Sequence, residues 1–205
     1  MEQRIQEKAE ELFFTYGLKS VSMDDIAREA GISKKTIYQS FDDKNAVVKA
    51  VITKLVEQQR TELEASLTSS QNAIHEIILI SESLQSLVAK IKPVMLYDLS
   101  KYFPECWKLK KSFKEENLKT SILNNLKTGV KGGLYRNDLD LEIICQFGLI
   151  QFSSFFDPDS YPANKFRIHT VLNRITELYL YGICSPKGQT ITKKYLDNKQ
   201  NEHTS

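Results

Sequence analysis

The chain has 205 residues, 41% hydrophobic and 26% charged, the balance of a folded protein with room for a small head and a larger body. Its net charge of +2 excludes a uniformly basic nucleic-acid binder. Residues 1–50 carry eight Lys/Arg against nine Asp/Glu, so any DNA contact there must come from where charges sit, not from their number.

The first apolar pattern is Ile5, Ala9, Leu12 and Phe13, one face of a helix. Gly17 is placed to end it as a C-cap. Ser22-Met23-Asp24-Asp25 has capping-box form, with Asp25 in place of the usual Glu. The short helix it opens buries Ile26, Ala27 and Ala30, and Gly31 stops it. Ser33 caps a third helix carrying Ile37 and Phe41 one turn apart. Asp42 or Asp43 caps a fourth, over about 44–67, with no Gly or Pro inside it. A polar stretch, Thr68–Asn72, follows. Helices are then expected at about 73–91, 94–102, 105–131, 139–156 and 164–183. Their punctuation is Pro93, Pro104, Gly132-Gly133 and the turn-rich Asp157–Pro162. After Pro186 the composition is polar and fraying is expected. The fold class is therefore all-α: a three-helix head at 1–48, a helical body at 49–186 and a polar tail at 187–205.

The head has the spacing of a helix-turn-helix. Gly31 tolerates the positive φ of a sharp turn, Ala27 four residues earlier permits close helix approach, and Ile37 six residues later fills the core. With Ile37 and Phe41 inward, Lys34 and Tyr38 share one outer stripe, Lys35 and Gln39 another. Those groups suit a major groove. Gln bonds adenine edges, Lys reaches guanine or phosphate, and Tyr bonds phosphate oxygen. Ser33 and the free N–H groups at that helix start favour an anion, and Lys44 adds a cation at the next helix start.

Taken whole, Val21-Ser22-Met23-Asp24-Asp25-Ile26-Ala27-Arg28-Glu29-Ala30-Gly31-Ile32-Ser33-Lys34-Lys35-Thr36-Ile37-Tyr38, with Gly17, Phe41 and Lys44, resembles the DNA-binding head of the TetR/AcrR regulators over residues 5–52. The resemblance implies DNA contacts at Ser22, Ser33, Lys34, Lys35, Thr36, Tyr38, Gln39 and Lys44. It also implies operator binding as a homodimer, with an effector pocket in the body. Two positions depart from the family pattern. Lys35 stands where a small residue is common, and Ser40 replaces an aromatic or His.

In the body, residues 94–113 concentrate aromatics. Tyr97, Tyr102, Phe103, Trp107 and Phe113, with Phe147, are the expected lining of an apolar ligand pocket. Segment 107–136 carries eight Lys/Arg against two Glu and reads as the wet face of an amphipathic helix. The helices at 139–156 and 164–183 are apolar on several sides, so a second copy of the chain is expected to cover part of them. Ile144, Phe155, Leu172, Ile175 and Tyr179 are the expected dimer contacts. Gly133-Leu134-Tyr135-Arg136-Asn137-Asp138-Leu139 resembles the turn that often precedes the dimer helices of the family.

The N-terminus has no apolar signal core and runs such as Ile77–Ile80 are too short to span a bilayer, so a cytoplasmic location is expected. Cys106, Cys145 and Cys184, with His75, His169 and His203, are scattered in a way that fits neither a disulfide framework nor a metal site. No cofactor is expected. No nucleophile motif or phosphate loop organises the Ser, His and Asp residues, so an enzyme is not expected. The expected function is ligand-responsive transcriptional regulation, repression by family habit, with double-stranded DNA, self and a small mainly apolar effector as partners. The alternative is a helical carrier or sensor of apolar molecules without operator binding.

Overall fold

The computed structural model describes residues 1–202 except 158 and 163, with side chains through Asn198. Pro158 of the expected turn, His203 and the last two residues of the expected tail lie outside the described residues. The chain is all-helical and forms two compact units. One comprises Met1–Thr61 with Leu87–Lys114, the other Glu62–Ser86 with Glu115–Ser205. This division is not the linear one expected. Two long helices, α4 (Lys44–Ser69) and α5 (Ala73–Lys90), each contribute to both units.

In the first unit, α1 (Glu2–Tyr16) buries Ile5, Ala9, Phe13 and Phe14 and ends at Gly17, whose φ is 84°. Helix α2 (Met23–Glu29) opens with the expected capping box. Ser22 Oγ accepts the Asp25 N–H at 3.1 Å, and the Ser22 N–H donates back to Asp25 Oδ2 at 3.0 Å. The Ser22 hydroxyl, which also donates to Asp25 Oδ2, and the Ser22 N–H, with help from Arg28, hold the Asp25 carboxyl below the usual carboxylate range. Gly31 turns the chain at φ 62° into α3 (Lys34–Ser40). Asp43, not Asp42, caps α4 by accepting the Ala46 N–H at 2.8 Å. Behind the head, α6 (Pro93–Tyr102) packs on α1 and is followed by α7 (Pro104–Ser112). Buried Asp98 of α6 accepts the Lys19 N–H at 2.8 Å, which fixes the turn between α1 and α2.

The second unit is built from α8 (Lys119–Lys131), α9 (Leu141–Ser154), α10 (Ile168–Ile183) and α11 (Pro186–Glu202) around Ile74, Leu126, Cys145, Leu149 and Leu180. A π-helical segment, Phe113–Leu118, joins α7 to α8 where an uninterrupted helix was expected. The last glycine turn is tied to the end of α10: Arg136 N–H donates to Ile183 O and Ser185 N–H to Leu134 O, both at 2.9 Å. The expected polar tail is instead mostly α11. Pro186 pre-sets the first turn, the Ser185 hydroxyl accepts the Gly188 N–H, and Ile191 and Tyr195 supply a narrow apolar stripe. The Tyr195 hydroxyl donates to Gln71 Oε1 and its ring stacks on His75. Three large apolar residues, Ile191, Tyr195 and Leu196, among many polar ones were too weak a periodic signal to read as a helix.

A buried polar chain crosses this core. Tyr135 Oη donates to Asn125 Oδ1 at 3.0 Å, and Asn125 Nδ2 donates to Ala73 O and to Glu76 Oε2 at 2.9 and 2.8 Å. Glu76 is 4% exposed, and burial raises its pKa against the opposing hydrogen bond from Asn125. A raised carboxyl pKa costs stability as pH climbs above the ordinary carboxylate range, because the unfolded chain ionises first. Glu76→Gln keeps an acceptor for Asn125 and removes that cost. Its melting temperature is expected to exceed the parent's at pH 7, with the gain shrinking toward zero as pH falls to 4.

Candidate nucleic-acid interface and internal cavity

Helix α3 is short, and its two faces are sharply distinct. Ile37 is fully buried, while Lys34, Lys35, Tyr38 and Gln39 are exposed. Ser33 starts the helix by accepting the Thr36 N–H at 3.1 Å, and its hydroxyl meets Thr36 Oγ1 at 2.8 Å. Ser22 is committed to its capping box in the same way, its hydroxyl donating to Asp25 Oδ2 at 2.6 Å. Both serines therefore place helix starts first. Any phosphate contact from them is made while capping. Lys34 Nζ lies 2.9 Å from Asp24 in an exposed pair, which releases easily to a phosphate. Lys44 is half-buried, and Nζ donates to Lys19 O at 3.3 Å. Desolvation lowers its pKa, opposed by the charges of Asp98 and Asp25. All eight expected contact residues thus lie in the first unit, with four of them forming the exposed face of α3. Phe41 is half-buried.

The expected pocket lining is not assembled. Tyr97 is 57% exposed, and Tyr102 and Phe147 also reach solvent. The helical period explains this. Met95 and Leu99 take the inner stripe of α6, and Tyr97 sits about 200° around the helix from Met95. The outward rings meet cations instead: Lys101 lies over Tyr97 and Tyr102, and Lys110 over Trp107. Phe103 is half-buried, and Phe113 is buried in the first unit. In the basic stretch, Lys108, Lys111, Lys127 and Lys131 are exposed, as expected of a wet face. Lys110 differs, since burial brings its ammonium pKa down to about 8, with Lys114 a lesser cause.

A cavity does exist, in the second unit, with a volume of about 120 Å³. Its walls are Ile77, Ile80, Ser81 and Leu84 from α5, Leu118, Ile122 and Asn125 around α8, Gly148, Gln151, Phe152 and Phe155 around α9, and Ile175, Thr176 and Tyr179 from α10. Three residues expected at a dimer face, Phe155, Ile175 and Tyr179, are therefore cavity wall. Leu172 is 1% exposed, already covered by its own chain, and Ile144 is half-buried. The apolar groups left uncovered are neighbours of the expected ones. Ile143, Phe147 and Ile150 form one stripe of α9, and Leu178, 68% exposed, projects from α10. A helix apolar on most sides gives little warning of which side its own chain will cover. Phe147 stacks on Tyr179, with ring centroids 6.2 Å apart, and so bridges this stripe and the cavity wall.

Among the described residues no cluster of His, Cys, Asp or Glu could hold a metal ion, and no helix is long and apolar enough to cross a membrane. The three cysteines are free and buried.

Residues 5–51 match the family described as bacterial regulatory proteins, tetR family. The HTH-type transcriptional repressor KstR2 of Rhodococcus jostii (strain RHA1) is 26% identical over 194 residues, which span 85% of this chain and 87% of that protein. The fold is shared with the transcriptional regulator FadR from Bacillus subtilis, solved in complex with stearoyl-CoA. That match has a TM-score of 0.67 and 18% identity, and covers 89% of this chain and 100% of that one. It is also shared with the ketosteroid transcriptional regulator KstR2 of Mycobacterium tuberculosis, with a TM-score of 0.61, 19% identity and coverage of 90% and 95%. Residues 5–51 therefore carry the helix-turn-helix domain of the bacterial regulatory proteins of the tetR family.

Proposed function

We propose that this regulator is a repressor that binds an inverted-repeat operator as a homodimer, inserts α3 into the major groove, and is released by a small, mainly apolar effector held in the cavity of the second unit. The observation that carries the reading is the exposed quartet Lys34, Lys35, Tyr38 and Gln39 backed by fully buried Ile37. Gln39 reads a base edge, while Lys34, Lys35 and Tyr38 reach phosphates or guanine. Ser22, Ser33, Thr36 and Lys44 fix the register on the backbone.

The self-partner is supported by the uncovered stripe of Ile143, Phe147 and Ile150 with Leu178. A two-fold pair of heads places two recognition helices in successive major grooves, ~34–36 Å apart. The similarity to a repressor agrees with repression, and a regulator of the same fold solved with stearoyl-CoA agrees with an effector that has an apolar portion.

Release follows from linkage. An effector that fits the cavity better when the heads cannot span two half-sites shifts the population to that form. Tenfold weaker operator binding needs only ~1.4 kcal/mol of differential affinity. Helix α4 contributes to both units and offers a continuous connection between them. The π-helical segment falls at the unit boundary between Lys114 and Glu115, the kind of irregularity that recurs at functional sites.

Paired titrations test the base-reading and backbone roles, using the sequence recovered by selection and a scrambled duplex. Gln39→Ala is expected to narrow the gap between the two, costing about 1–3 kcal/mol on the selected sequence alone. Lys44→Ala is expected to weaken both about equally and to lower the salt slope by about one. No change in either variant would remove α3 and the start of α4 from the interface.

A further inference from the structure

The cavity is apolar but not uniformly so, and its polar groups are not equivalent. Ser81 and Thr176 bond to each other, hydroxyl to hydroxyl, at 2.8 Å, which leaves one of the two O–H groups undonated in that pair. Asn125 is fully engaged with Tyr135, Ala73 and Glu76. Two further wall residues have capacity to spare. Gln151 Oε1 is buried with no hydrogen-bond partner, and the Tyr179 hydroxyl makes no hydrogen bond among the described residues. Both line the cavity from neighbouring positions on α9 and α10. Tyr179 Oη lies 3.9 Å from where a Cβ on Gly148 would stand, and Gln151 is the next turn of the same helix. Burial raises the Tyr179 pKa, so this hydroxyl stays protonated and can donate. The cavity wall therefore offers a neutral donor and a neutral acceptor. No charged side chain is among the residues lining the cavity, and behind Asn125 stands the Glu76 carboxyl.

Resting on the reading of this cavity as the effector site, we propose that its ligand is an uncharged molecule with an apolar body about one ring in size and a single hydroxyl, which donates to Gln151 Oε1 and accepts from Tyr179 Oη. A one-ring body fits the volume, about 120 Å³, which is close to that of a cavity that admits benzene (~150 Å³). The hydroxyl follows from the pairing, since it is the smallest simple group that donates and accepts at once, which an ether, ketone or halide cannot do. Carboxylates are rejected because an unpaired anion would enter an apolar wall without a cation to meet it.

The test is calorimetric titration of the full chain at pH 7 with phenol, benzene and benzoate. Phenol is expected to bind about tenfold tighter than benzene, the range of one well-made neutral hydrogen bond, with no detectable benzoate binding. Tyr179→Phe and Gln151→Leu are each expected to weaken phenol severalfold while moving benzene by less than twofold, with melting curves confirming that both fold. Equal affinity for phenol and benzene, or tighter binding of benzoate, would overturn the hydroxyl assignment while leaving the cavity as a binding site. Failure of all three to bind the parent protein would overturn the cavity itself as the effector site. Phenol binding without any loss of operator affinity would keep the ligand class and remove its role in release.

Discussion

Gly129→Ala is expected to destabilise the protein by about 3 kcal/mol or more, a fall of roughly 6–12 °C in melting temperature for a chain of this size. A Cβ at Gly129 would lie 2.0 to 2.7 Å from three ring atoms of Tyr135. The ring has no route of escape. Tyr135 is 2% exposed, its N–H donates to Gly129 O, its hydroxyl is held by Asn125, and it pairs with Cys184 at the end of α10. Gly148→Ala, the same substitution in the next helix, is expected to have the opposite sign. Its Cβ would meet Ile122 Cδ1 at 3.6 Å, an ordinary contact, so replacing a mid-helix glycine should stabilise by about 0.5–1 kcal/mol. Thermal unfolding of both variants gives the contrast. Adding Tyr135→Ala to Gly129→Ala should cost much less than the sum of the two single changes, because the clash partner is gone. Additive losses would mean that the steric account of this turn is wrong.

Ile150→Glu is expected to convert the proposed dimer to a monomer and to weaken operator binding by two orders of magnitude or more. Ile150 is already more than half exposed in the single chain, so a carboxylate there leaves the fold intact. In the dimer it would set two buried negative charges near each other across the two-fold axis. Losing the second head removes the effective concentration that makes two half-sites bind together, a factor of about 10²–10⁴. Sedimentation gives the oligomeric state and titration on the selected DNA gives the affinity, while an unchanged melting curve for the isolated fold separates assembly from stability. A variant that remains dimeric with full affinity would place the interface elsewhere than on Ile143, Phe147, Ile150 and Leu178.

The parts of this molecule that were legible in its sequence are those written in local chemistry. Gly17 and Gly31 adopt the positive φ that their positions demanded, and Ser22, Ser33 and Asp43 cap helices through their own side chains. The outer face of α3 followed directly from Ile37 being inward. The parts that were not legible depend on contacts between distant segments. Composition marked 94–113 as aromatic, but only the direction of Met95 and Leu99 decides that Tyr97 faces out. In α9, Ile143 and Ile144 are equally apolar neighbours, and only packing against α8 leaves the first of them exposed. The cavity had one faint signal, a lone glycine at 148 inside an apolar helical run, with Gln151 one turn on. Gly148 is where α8 and Tyr179 come close. The short apolar stripe of α11 was hidden among polar residues whose role is to face water.

Sequence-specific DNA binding by α3 is the central property of the proposed regulator. The measurement is selection from a random duplex library with the purified full chain at a stated moderate salt concentration. The predicted result is enrichment of one inverted repeat whose half-site centres are about one helical turn, 10–10.5 base pairs, or a multiple of it, apart. Recovery of no common sequence, with only weak and salt-sensitive binding after any co-purified ligand has been removed, would contradict it.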